Sequence, residues 1–272
     1  MEPKEASEAL NGQPEQDVGL IRPTKHPSDP ALGPDALFVM IASELTYLAK
    51  CCGAGKRSRP ASGFFDLYQT TAAGESPLTL AGPFLGAPQA VMGLEKIVAL
   101  GAERIWILGW CGSITPELRV GDLVIPTTAL SEEGTSGHYP IGGRPAKTDK
   151  ELTRVLANAL AREGHTYHRG ALWTTDAPYR ETPKKVIEFQ QKGMIAVDME
   201  MSALIRVALY RGVRLAGILA VSDELFALKW HAGFSNPKLK RRSRLAGRVL
   251  LRTIRSLGAQ LPPGDMRDRS EP

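Results

Sequence analysis

Cysteine is scarce in this chain: three in 272 residues, Cys51, Cys52 and Cys111. Two are adjacent and one stands alone. That spacing fits neither a disulfide framework nor a zinc site, so reduced structural thiols are expected, and no metal. No apolar run is long enough to span a bilayer, which argues against a membrane partner. The opening residues MEPKEASEALNGQPEQDVG are acidic and polar. They lack the basic and apolar regions of a secretory leader, so a cytoplasmic location is expected. Acidic residues are absent between Lys238 and Arg255, where eight basic residues stand: Lys238, Lys240, Arg241, Arg242, Arg244, Arg248, Arg252 and Arg255. That stretch more than accounts for the net charge of +5. It also lacks aromatic residues that could stack on bases, which argues against nucleic acid. Leu239, Leu245, Val249, Leu250 and Ile254 recur within it at near-helical spacing, so an amphipathic helix with a solvated basic face is expected.

What remains is an ordinary globular composition, 43% hydrophobic and 23% charged. Residues 1–20 and 259–272 read as flexible ends, and 21–258 as a single domain. Within it, strand-like apolar runs alternate with helical ones. ALFVMI at 36–41, residues 77–85, 104–108, 122–126, 170–174 and 195–197, and RLAGILAV at 214–221 read as strands. The last is apolar throughout, as expected of a strand covered on both faces. Residues 43–50, 88–100, 149–162, 182–191 and 199–210 read as helices. The alternation predicts an α/β fold, a three-layer α/β/α sandwich with a mixed, partly parallel central sheet.

Ligands in such folds gather at the carboxyl ends of strands. Four segments stand there: Gly82–Pro88, Gly109–Ser113, Thr174–Arg180 and Ser222–Glu224. Glycines let a backbone approach a ligand and offer N–H groups to anions. Taken singly, glycine turns after strands are common and carry little. Taken together, three blocks resemble the nucleoside phosphorylase family, which holds uridine and purine nucleoside phosphorylases and related nucleosidases. They are LTLAGPFLGAPQAVMGLEKIVALGAERIWILGWCGSITPELRVGDLVIP, TTDAPY and AVDMEMSALIRVALYRGVRLAGILAVSDEL. The pairing of VDME with VSDE is the specific part.

The resemblance implies cleavage of a nucleoside's N-glycosidic bond and assigns roles to matching positions. Glu200 would accept hydrogen bonds from the ribose hydroxyls, as an acceptor-only carboxylate can. Met199 would pack on the sugar, or else be helix core. Tyr179 would stack on the base, with Arg180 and Ser222 beside it. Asp223 would give or share a proton with N7 of a purine as the bond breaks; alone it would read as a helix N-cap. His26 would reach a neighbouring subunit's 5′-hydroxyl, which implies a homo-oligomer, a dimer or a hexamer of dimers. No cofactor is implied beyond phosphate as co-substrate.

The departures concern the attacking group. Phosphorylases of this family place a Gly and an Arg after the first strand; IASELTYLAK has neither. Around the central glycine segment, Ile107 and Trp110 stand where an arginine and a hydroxyl are expected. Arg57 or Arg59 could supply charge from a neighbouring subunit, with Gly109, Trp110 and Gly112 lining the phosphate. Alternatively water attacks, activated by Glu44, which resembles the glutamate of the nucleosidases; its plain reading is a carboxylate favourable to a helix N-terminus. Phosphorolysis giving free base and ribose 1-phosphate is the first expectation, and hydrolysis the alternative. Asp223 favours a purine, and Arg180 a base carrying a carbonyl, hence a 6-oxopurine or uracil nucleoside. A non-catalytic nucleoside-binding protein is a third reading.

Overall fold

The computed structural model describes residues 19–54, 64–70 and 77–260. The expected flexible ends lie almost wholly outside the described residues, and so do Arg57 and Arg59. In chain order the elements are β1 (Asp35–Val39), α1 (Ala42–Cys51), β2 (Asp66–Gln69), β3 (Thr79–Gly82) and α2 (Ala87–Ala99). Then come β4 (Arg104–Ser113), β5 (Leu123–Glu132), α3 (Lys150–Arg162), β6 (His168–Thr175) and α4 (Pro183–Gln191). The chain continues through β7 (Met194–Asp198), α5 (Met201–Arg211), β8 (Arg214–Glu224), β9 (His231–Ala232) and α6 (Pro237–Gln260).

Local chemistry sets most boundaries. Pro88 lies in the first turn of α2, where its missing N–H costs nothing. Asp149 and Thr182 accept hydrogen bonds from the backbone N–H of Leu152 and Lys185, which caps α3 and α4. Gly212 ends α5 at φ 68°, a left-handed conformation that glycine adopts without strain. Two strands, β2 and β9, were not expected from the apolar runs. Both are short; β2 is only partly buried and β9 is exposed.

β1, β3, β4 and β8 run parallel, so their carboxyl ends share one edge of the sheet. Side chains alternate across it. Ala36, Phe38, Ile105 and Ile107 join a core beneath α2 and α5; Leu37, Val39, Trp106 and Leu108 join one beneath α1, α3 and α6. Helices therefore cover both sides of a mixed sheet. The expected three-layer sandwich needs correction in its middle layer, which is not open. β4 pairs with β7 and with β8, and the order β4-β7-β6-β5-β8 returns to β4 as a closed ring. β2, β3 and β1 extend from it. Length is the physical cause. β4 has 10 residues and β8 has 11, so each can pair fully along one edge and divide the other between two partners.

A buried ion pair pins the opposite end. Arg104 Nε and Nη2 donate to the two oxygens of Asp35 at 2.7 and 2.6 Å, and Trp106 Nε1 donates to the same carboxylate at 2.8 Å. Both charged residues are buried. Asp35→Ala should therefore leave a buried guanidinium and an indole N–H without a partner and cost about 3–5 kcal/mol. Chemical denaturation reads the loss. A change below about 1 kcal/mol, the scale of an exposed pair, would show that the cluster is not stabilising.

Candidate active site

The site is built around an interruption in one edge of β4. The last β1 pairing is Val39 with Leu108, and the nearest β7 pairing is Val197 with Gly112. Between them Gly109, Trp110 and Cys111 have no strand partner on that edge, while the other edge pairs with β8 throughout. The sequence suggested a loop at 109–113; the structure makes it strand, opened where β1 and β7 diverge. Gly112 faces Asp223 across the β4–β8 ladder. A Cβ at Gly112 would lie 3.1 Å from Asp223 Oδ2 and 2.7 Å from Leu225 Cδ1, so only glycine admits that carboxylate so near.

Glu200 follows β7 and opens α5. Its Oε1 accepts a hydrogen bond from the Gly86 N–H at 2.6 Å, at the start of α2. Burial, then the charge of Asp198, pushes its carboxyl up. Asp198 holds the turn in place. It accepts from Thr174 Oγ1 at 2.6 Å and from the N–H groups of Glu200 and Met201 at 3.0 and 2.6 Å. Burial pushes Asp198 up as well. Glu133 braces the same region, accepting from Ser131 Oγ, Ser202 Oγ and the Thr135 and Ser136 N–H groups. Burial would raise it, yet these hydrogen bonds bring it below its ordinary value. Asp198 stood in the VDME motif, but its bracing role is set by Thr174, 24 residues away. Met199 is half-buried and belongs to none of the apolar core clusters among the described residues. It is not helix core.

Asp223 lies within β8, so the helix N-cap alternative is excluded. Ser222 Oγ donates to Asp223 Oδ1 at 2.6 Å or to the Cys111 carbonyl at 3.2 Å. Its hydroxyl thus serves neighbouring protein groups. Trp230 Nε1 donates to Asp223 Oδ2 at 2.9 Å. Phe234 links this indole to Trp110, with ring centroids 6.2 and 6.1 Å apart. Nothing in the sequence flagged Trp230, because it comes from the irregular segment after β8.

The loop after β6 departs from expectation. Tyr179 is fully exposed and Arg180 is exposed, on a short 3-10 turn. Glu181, which the sequence reading passed over, is the half-buried member. Burial, then the charge of Asp223, pushes its carboxyl up to about 7. His26 is exposed, and its bonds are local: its N–H donates to Asp29 and its ring meets Ser28. Lys96 ties that arm to α2 through Thr24 and Asp29.

Of the positions where the resemblance places the phosphate groups, Ile107 is fully buried in the core. Trp110 Nε1 donates to Ser243 Oγ at 3.1 Å. Neither offers a phosphate the cation or hydroxyl expected there. Glu44, only 1% exposed, is the acidic residue of the first turn of α1. Burial pushes its carboxyl up, against the pull of Arg244. Arg244 comes from α6, with Nε 3.8 Å from Glu44 Oε2 and its guanidinium 4.2 Å above the Tyr47 ring. The basic face of α6 is accordingly not simply solvated. Arg248 donates to Tyr47 Oη, and Arg242 to the Thr166 carbonyl, both at 2.8 Å.

Among the described residues no group of three or more His, Cys, Asp or Glu is placed to hold a metal, and no helix is long and apolar enough to cross a membrane. Three carboxylates of the expected set thus stand on separate elements: Glu44 on α1, Glu200 at the start of α5 and Asp223 on β8.

The chain is 30% identical over 150 residues to the guanosine phosphorylase of Halorubrum lacusprofundi, a match covering 55% of this chain and 62% of that relative. The match thus spans less than two thirds of the relative's length. The purine nucleoside phosphorylase of Toxoplasma gondii shares the fold, with a TM-score of 0.76 at 22% identity over 85% of this chain and 94% of that one. The AMP nucleosidase of Bacteroides thetaiotaomicron does so with a TM-score of 0.65 at 20% identity, over 83% and 91%. The family model described as the phosphorylase superfamily matches residues 36–255. With most of the chain inside that match and the ring of strands built around one opening, the protein belongs to the phosphorylase superfamily.

Proposed function

We propose that this chain hydrolyses the N-glycosidic bond of a 6-oxopurine nucleoside, with water activated by Glu44 as the attacking group. The observation that carries it is Glu44 itself. It is a buried carboxylate whose Oε2 has no hydrogen-bond partner, while Ile107 and Trp110, where the resemblance expects an arginine and a hydroxyl, offer a phosphate neither. Dianionic phosphate next to a buried carboxylate would be repelled, whereas water can be polarised by one.

The roles follow from chemistry. Glu200 accepts hydrogen bonds from the ribose hydroxyls, and Met199 packs on the sugar. Asp223 gives or shares a proton with purine N7. Water oxygen bonds to C1′ while its proton passes to Glu44. The C1′–N9 electron pair leaves with the base, which Asp223 neutralises, giving free base and free ribose. The relative named guanosine phosphorylase supports a base with a 6-oxo group. Phosphorolysis remains the second reading, favoured by the same relative's name and by Arg244 as a cation near the attack side.

Inosine, guanosine, adenosine, uridine and methylthioadenosine, each with and without phosphate, separate the readings. Free ribose from inosine or guanosine in phosphate-free buffer is the expected result. Ribose 1-phosphate formed only with phosphate would replace hydrolysis by phosphorolysis. No release from any substrate would leave a nucleoside-binding protein.

A further inference from the structure

A groove lies beside the end of β8, outside the candidate active site. Side chains alternate along a strand, so Glu224 faces away from its neighbour Asp223. Glu224 helps to line a hollow of about 650 Å³ between the turn before β5, β9 and the start of α6. Arg119, Glu224 and His231 also line a second hollow of about 400 Å³, so the two adjoin. The backbone around them is closely fitted. Asp223 pairs with Ala232 and Glu224 with His231, which makes β9 one wall. At Gly233 a Cβ would lie 2.5 Å from Val120 Cγ2 and 2.6 Å from the Ser222 carbonyl oxygen, so only glycine lets the chain approach so near.

What the groove leaves unused is cationic. Among the described residues that line it, Glu224 is the only acid, and it is already engaged. Buried, it accepts from the Val120 N–H at 2.9 Å and lies 3.4 Å from Arg119 Nε. Lys238 is held by Asp122 at 3.0 Å. Lys229 and His231 are exposed, and neither has an ion-pair partner among the described residues. Arg119 is more than half exposed, so its remaining donors can meet a ligand. Aromatic surface adjoins these cations. The Arg119 guanidinium lies 4.8 Å over the Phe226 ring, and Trp230, 61% exposed, lines the smaller hollow. The indole is nonetheless fixed, because its Nε1 donates to Asp223 Oδ2 at 2.9 Å. Between the two rings Leu228 is held at φ 60°, a conformation rare for a bulky side chain and common at ligand clamps.

We propose that this groove is a second binding site, for a nucleotide. The base stacks on Trp230 in the smaller hollow. The phosphate enters the larger one past Arg119 and His231, with Lys229 at the rim. The ligand class follows from the lining: a fixed, exposed indole takes a flat ring, and cations without partners take an anion. Both hollows have the size of small-molecule sites. Phe226, Ala227 and Trp230 offer ring surface rather than a hydrogen-bond code, so the site accepts different bases, as stacking does. The groove and the candidate active site share one wall, Trp230. The proposal holds whichever group attacks the sugar.

The test uses the full chain and cytidine 5′-monophosphate, whose base lacks the N7 that Asp223 would meet. Of the four tryptophans, Trp106 and Trp173 are fully buried and Trp110 is half-buried, so quenching by a stacked base reads mainly Trp230. Saturable quenching is expected, weakening as salt is added. Cytidine, which brings no charge, should bind about tenfold more weakly or worse. Lys229→Glu should weaken the monophosphate by a similar factor and leave guanosine cleavage unchanged. Lys229 is exposed, so the variant should fold; circular dichroism checks it, and His231→Asn repeats the test at a second wall. Equal affinity for cytidine and its monophosphate, or affinity unmoved in both variants, overturns the proposal. Guanosine cleavage lost along with binding in Lys229→Glu would make the groove part of the active site and overturn a second one. A short cytidine oligonucleotide bound far more tightly than the monophosphate would make the ligand a strand and overturn the nucleotide. Binding is read without turnover, so its failure is distinct from failure of the hydrolytic reading.

Discussion

Glu44→Gln should fold normally and lose about 10²–10⁴-fold in ribose release, the range of a general base removed from its transition state. Glutamine fills the same volume and can still accept from Ser43. It also relieves a buried charge, and the half-exposed guanidinium of Arg244 can turn toward water. Stability should accordingly hold or rise slightly, because replacing one member of a pair is damaging mainly where the orphan cannot escape. Single-turnover rates together with a melting curve read both effects. Unimpaired release with an unchanged melting curve would take Glu44 out of the chemistry and return it to the plain reading of a first-turn carboxylate.

Asp223→Asn is expected to lower purine nucleoside turnover by about 10²-fold or more. The amide can still meet Ser222 and Trp230, so the geometry around Gly112 survives while the proton is lost. A substrate comparison isolates the proton. In 7-methylguanosine N7 is already quaternary and the base leaves without protonation, so this substrate should lose far less than guanosine. Equal losses on the two would mean that Asp223 serves structure and not the leaving group.

Local chemistry made much of the fold legible. The run RLAGILAV gave β8, and the proline and glycine around residues 88–101 gave α2 within a residue or two. Ring closure was not legible, because an apolar strand does not say which strands flank it. That choice lies in the lengths of β4 and β8 and in where β1 and β7 leave the ladder. The site followed the same division. Glu200 and Asp223 stand on elements whose identity is local, and both fall beside the opening. Trp230 and Arg244 reach it from an irregular segment and a helix 7 and 21 residues past Asp223, and no periodicity announces such contacts. Tyr179 was expected to face the base, yet its turn points it into solvent while Glu181 takes the inward place.

The interruption in β4 has a metric consequence. α1 follows β1 and carries Glu44; α5 follows β7 and carries Glu200. Both therefore hang from one backbone, separated by the three residues Gly109, Trp110 and Cys111. From Leu108 to Gly112 is four steps, about 13 Å at about 3.3 Å per residue, and it is set by a hydrogen-bond ladder, not by side chains. β4 thus acts as a gauge block between the carboxylate proposed to activate water and the one proposed to hold the ribose. Side chains along it can be exchanged to alter the chemistry, but a single residue inserted or deleted there would change the reach between the two carboxylates. It would also turn every later side chain of the strand to the opposite face.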